Sequence, residues 1–117
     1  MSHNTNRTAL FTSATTGTSP AADCSDKVWL KAYLKGHGTV SAGTIVLEEA
    51  DYFGTVPPTP PTTWSAVGSA ISCTDVSDGT QKSYTLPVAA YSNVRGRFTA
   101  DVTGGGSVDL ELVAVGP

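Results

Sequence analysis

Residues 94–115, VRGRFTADVTGGGSVDLELVAV, constrain the fold more than any other stretch of the chain. Two runs of alternating apolar and polar residues flank three consecutive glycines. A period of two puts successive side chains on opposite faces of a strand, so each run reads as a strand with one buried face. Val94, Phe98, Ala100 and Val102 share a face with Gly96, and Val108, Leu110, Leu112 and Ala114 share a face in the second run. Gly104, Gly105 and Gly106 then read as the bend of a hairpin, where glycine supplies positive φ and a bulge. A one-sided core requires the two apolar sets to coincide, which leaves two registers. Val102 opposite Val108 would set Asp101 against Asp109. A shift of two places Phe98 opposite Leu110 and pairs Arg97 with Glu111. Opposite charges across strands contribute ~0.2–1 kcal/mol and like charges cost about as much, so the second register is favoured. A phosphate loop would need a lysine after the glycines and then a helix, and the second strand follows instead.

The same period recurs upstream. In DKVWLKAYLKG, Val28, Leu30, Ala32 and Leu34 fall on one face, and Trp29, Lys31, Tyr33 and Lys35 on the other. A strand is expected, with a helix as its rival because Leu30-Lys31-Ala32 has no β-branching. A second strand is expected over 44–49, with Ile45 and Leu47 inward. Strand patterns return at WSAVGSAISC and around Tyr84 and Leu86, with a turn at DVSDG between them. Four prolines within 57–61 cannot sit inside a sheet or helix, so an exposed loop is expected there. Residues 1–20 read as a flexible N-terminal arm; its one apolar pair, Leu10-Phe11, suits an edge strand or a segment lying on a neighbour. Residues 21–117 read as a single domain.

At 117 residues the chain is large enough to bury an ordinary core without metal or disulfide. Only 15% of residues are charged, and Ser and Thr together number 29. Few Glu and Lys means few strong helix formers, and Thr favours strands. The fold class expected is therefore all-β: an antiparallel β-sandwich, jelly-roll-like, with a C-terminal hairpin. A formal net charge of −3 without a basic cluster argues against nucleic acid. No apolar run is long enough to span a bilayer, and the first residues lack the pattern of an export signal. By the compartment argument Cys24 and Cys73 are two reduced, packed thiols, with a disulfide as the alternative.

Residues with chemical potential are few. His37, in a glycine-flanked turn, is the one histidine outside the N-terminal arm, and nothing in the spacing brings it to Cys24 or Cys73. Glu48 and Glu49 point to opposite faces of a strand and cannot act together. DVSDG lacks the later ligands of a calcium loop. No Cys/His set has zinc spacing. No catalytic residue, metal or cofactor is therefore assigned. Trp29, Tyr33, Tyr52, Phe53 and Trp64 are aromatics that suit an interface or stacking on sugars, Trp64 equally a cap on the core; the candidate interface is Leu10, Phe11, Trp29, Tyr33, Tyr52 and Phe53.

Four segments, ALFTSATTG, SAGTIVLEEA, TTWSAVGSAIS and YSNVRGRFTADVTGGGSVDLELVAV, resemble a loose group of small tailed-phage virion proteins. The likeness covers most of residues 9–115. It departs at YFGTVPPTPPTTW, where the group carries SNDGTTW. The resemblance implies a β-sandwich or jelly-roll-like module assembled on a capsid or tail, without catalysis. The reading that follows is a capsid decoration (cement) protein. It would be made in the host bacterial cytoplasm and would bind the major capsid protein on the virion surface as a homotrimer, with neither nucleic acid nor membrane as partner. Deleting residues 1–20 is then expected to weaken attachment while the domain stays folded. Alternatives are a tail, neck or fibre component with a receptor- or carbohydrate-binding role, and a carbohydrate-binding module.

Overall fold

The alternation in DKVWLKAYLKG does form a strand, and its neighbours are set by the same rule of one buried face. The computed structural model describes residues 5–50, 63–89 and 91–116. Among these run β1 (Thr5–Ala14), β2 (Ala22–Asp23), β3 (Trp29–His37), β4 (Ala42–Ala50), β5 (Ser65–Ser72), β6 (Gln81–Thr85), β7 (Asn93–Thr103) and β8 (Ser107–Val115). A 3-10 segment, Cys73–Gly79, links β5 to β6 where the DVSDG turn is expected. The proline-rich run at 57–61, with Tyr52 and Phe53, lies outside the described residues.

The strands form two four-stranded sheets, a front sheet ordered β1-β8-β3-β6 and a back sheet ordered β2-β7-β4-β5. Every pairing is antiparallel. First pairs with last, second with seventh, third with sixth, fourth with fifth: the chain is one long nested ribbon wrapped into two layers. That is jelly-roll topology, and the expected all-β sandwich holds. Between the layers lie Leu30, Leu34, Ile45, Ile71, Val94, Val108, Leu110 and Leu112, all essentially inaccessible to solvent. Cys24 and Cys73 are buried and unpaired. Burial pushes both thiols up to about 11; at Cys24 the nearby Asp23 charge adds to this.

The C-terminal hairpin is not formed. β7 pairs with β2 and β4, and β8 pairs with β1 and β3, so 104–106 carries the chain from one sheet to the other. Phe98 lies opposite Ile45 and Leu110 opposite Leu34. Arg97 and Glu111 are not partners. Period two states which face a strand buries, and two such strands satisfy it equally side by side or face to face. The link from β3 to β4 makes the same crossing in the opposite direction, and the two arches are hydrogen-bonded. Gly106 N–H donates to Thr39 O at 2.8 Å, and Ser41 N–H donates to Thr103 O at 2.8 Å. Gly104 and Gly105 have positive φ as expected. Gly106 is needed for a different reason: a Cβ there would collide with the carbonyl oxygens of His37 and Thr39. The 3-10 segment locks this end, with Ser77 Oγ accepting from Val40 N–H at 2.9 Å and donating to Val40 O at 3.0 Å.

The expected N-terminal arm is, from Thr5 onward, part of the sandwich. β1 is the outer strand of the front sheet, paired with β8. A bulge between Ala9 and Phe11 breaks the alternation, so adjacent Leu10 and Phe11 both enter the core, at 4% and 7% exposure. The Phe11 ring meets Phe98 at 4.8 Å between centroids. Leu10 and Phe11 are therefore core residues and not interface residues. Residues 15–19 then strap the open edge of β7. Val102 N–H donates to Thr15 O, Phe98 N–H to Gly17 O, and Ser19 N–H to Gly96 O, at 2.8–2.9 Å. The domain accordingly starts well before residue 21.

Candidate functional site

The outer face of the front sheet collects most of the side chains with chemical reach. On β3 these are Trp29, Lys31, Tyr33, Lys35 and His37, each alternating with a core residue. Register places Val115 opposite Trp29, Val113 opposite Lys31, Glu111 opposite Tyr33 and Asp109 opposite Lys35 on β8. On the other side β6 sets Thr85, Ser83 and Gln81 against Lys31, Tyr33 and Lys35. Strand parity thus writes an apolar half and a polar half onto one surface.

Two adjoining hollows share Tyr33. The apolar one, about 340 Å³, is lined by Trp29, Lys31, Tyr33, Thr85, Val113 and Val115. Trp29 is 49% exposed, the larger of the two exposed large apolar side chains among the described residues, yet its neighbour Val113 is buried although it faces outward. Lys31 lies over the Tyr33 ring at 5.7 Å, a cation–π contact that holds its stem along the sheet. The polar hollow, about 440 Å³, is lined by Arg7, Tyr33, Lys35, Gln81, Asp109 and Glu111. Arg7 Nη1 lies 2.6 Å from Glu111 Oε1, so β1 supplies the cation that the sequence assigns to Arg97.

Asp109 anchors the polar end. Its Oδ1 accepts Ser13 N–H at 2.7 Å, and its Oδ2 lies 2.7 Å from His37 Nε2. Burial pushes this carboxyl up, but the hydrogen bonds from His37 and Ser13 outweigh it and hold the group below the usual aspartate range. Asp109 thus ties β3, β8 and β1 together; His37 touches this carboxylate and not a thiol, because Cys24 and Cys73 are in the core. Asp75 pairs with Lys82 at 3.0 Å, which ties the DVSDG segment to β6. Among the described residues no group of three His, Cys, Asp or Glu side chains could hold a metal ion.

Of the interface candidates, Trp29 and Tyr33 come together on this face; Leu10 and Phe11 do not, and Tyr52 and Phe53 are not among the described residues. A cluster on the back sheet lies outside the sequence reading. Glu48 on β4, 6% exposed, accepts from Arg95 Nε at 3.0 Å and from Arg97 Nε at 3.1 Å on β7. Trp64 stacks on Arg95, with the guanidinium carbon 4.0 Å from the ring centroid. In the sequence the cluster shows as the RGR spacing and the aromatic candidate Trp64, and neither points to Glu48. A third hollow, about 400 Å³, lies between the β5 and β6 edges over Leu47, Val67, Ile71 and Leu86. Tyr84 lines it, with its hydroxyl buried and unpaired among the described residues.

The class these observations define is an eight-stranded sandwich with an aromatic, mixed-charge outer face. No protein-family model matches the chain, and no curated protein matches it by sequence. Among solved structures it is similar to the crystal structure of the SPBc2 prophage-derived protein YomS. The TM-score is 0.62 and the identity 13%, over 98% of this chain and 96% of that one. At that identity the likeness is one of fold. A disulfide-linked pilus protein of Bacillus endospore appendages also aligns, with a TM-score of 0.44 and 17% identity, over 98% and 87% of the two chains.

Proposed function

We propose that the chain is a non-catalytic structural protein of a tailed-phage particle and, within it, a capsid decoration (cement) protein. It binds the outer surface of the major capsid lattice as a homotrimer and stabilises that lattice. The observation that carries this reading is the outer face of the front sheet. There an exposed Trp29 and the Tyr33 ring sit among Lys31, Lys35, Asp109 and Glu111 on a rigid strand framework. Aromatic anchors with a charged rim are what stable protein contacts use. The fold shared with a prophage-derived protein supports a phage context.

Co-sedimentation of the purified chain with undecorated shells tests the reading. Trp29→Ser is expected to weaken capture about thirtyfold, the loss of a hot-spot contact worth about 2 kcal/mol. Equal capture of the variant and the parent would count against this face. Light scattering of the free chain tests the trimer. A tail, neck or fibre component with a glycan-binding face is the second reading, favoured by the meeting of the apolar and polar hollows at Tyr33. Retention on a glycan array, lost in the same variant, would select it.

A further inference from the structure

The back sheet carries a second constellation that the proposed attachment face does not use. Arg95 and Arg97 stand on alternate residues of β7, both on its outer face, and one carboxylate serves both. Glu48 takes only the Nε–H of each guanidinium, at 3.0 and 3.1 Å. A guanidinium has five N–H donors, so the Nη groups of both side chains remain unspent. Among the described residues neither arginine side chain makes another hydrogen bond or ion pair; Arg95 adds only its stack on Trp64. Among the described residues, one carboxylate against two cations leaves one positive charge in excess, on a chain whose net charge is −3.

The forks are also pre-positioned. Glu48 fixes both at Nε, and Trp64 fixes the plane of Arg95, so little rotamer freedom remains to be lost on binding. Alternate residues of a strand are about 6.5 Å apart, the same spacing that separates carboxylates at alternate positions of an extended partner. A nucleic acid would need a longer string of phosphate contacts. The other five Lys and Arg side chains lie elsewhere: Lys31 and Lys35 on the front sheet, Arg7 paired with Glu111, Lys27 buried against Asp26, and Lys82 paired with Asp75.

We propose that the outer face of β7 and β4 is a docking site for an extended acidic segment of a partner protein. Its carboxylates at alternate positions engage the Nη groups of Arg95 and Arg97. The site stands whether or not the front sheet is the capsid-binding face.

The test is a titration of the full chain with a blocked peptide of alternating Glu and Thr, followed by NMR at the arginine Nε–H and tryptophan indole resonances. Saturable shifts at Arg95, Arg97 and Trp64 are expected, and the same peptide with Gln for Glu should give none. Arg97→Gln should weaken binding at least tenfold, with Arg97→Lys intermediate, whereas Lys35→Gln on the opposite face leaves it unchanged. Equal shifts with the Gln peptide, or no saturation, would overturn the proposal without a variant being needed. Tighter saturation of these resonances by a single-stranded oligonucleotide, or their concentration-dependent shift in the absence of peptide, would overturn it in favour of nucleic acid or a second copy.

Discussion

Asp109 shows how one side chain can fasten three strands. It accepts from Ser13 on β1 and from His37 on β3 while itself standing on β8. Because its folded pKa is depressed, its stabilising contribution is whole above the ordinary aspartate value of about 3.9 and is lost as pH falls through the folded value. Asp23, held down by the Ser25 hydroxyl and N–H, acts with the same sign. Urea midpoints are therefore expected to fall as pH drops below about 4, and Asp109→Asn should flatten that acid limb. The two cysteines make the opposite case. With both thiols pushed up to about 11 and buried, neither is expected to react with a thiol reagent at pH 8 until the chain is unfolded. Rapid modification of the native protein would contradict their placement.

At the scale of elements, the two arches decide the topology. Gly106 sits where the β7–β8 link crosses the β3–β4 link, so Gly106→Ala should destabilise by about 1–3 kcal/mol through backbone displacement, measured by equilibrium denaturation. β1 is the other element whose role differs from a sequence reading. Phe11→Ala is expected to cost about 3–5 kcal/mol, and removal of residues 1–20 should abolish cooperative melting instead of leaving a folded domain. Strands and their buried faces were legible because alternation is a local property. Val28 to Lys35 and Ile45 with Leu47 needed no knowledge of neighbours. The hairpin failed at 104–106 because pairing is a non-local property, and three glycines permit an arch as readily as a turn. Leu10 and Phe11 were misplaced because a bulge puts adjacent residues on the same side. In the candidate site, Trp29 and Tyr33 followed from parity alone, whereas Glu48 with Arg95 and Arg97 required knowing that β4 lies beside β7.

At the scale of the whole molecule, the jelly roll separates its surfaces by chemistry. The front face carries aromatics among mixed charges, and the back face carries a compact arginine pair over a shared carboxylate. The front face is built on strand residues, whereas the back face also draws on Trp64, which precedes β5 and stacks on Arg95. The measurement that bears most directly on the proposed role is the abundance of the chain in separated head and tail fractions of purified particles, by quantitative mass spectrometry. A capsid decoration protein predicts that it follows the head fraction at a copy number commensurate with the major capsid protein. Recovery in the tail fraction alone, at a few copies per particle, would contradict it.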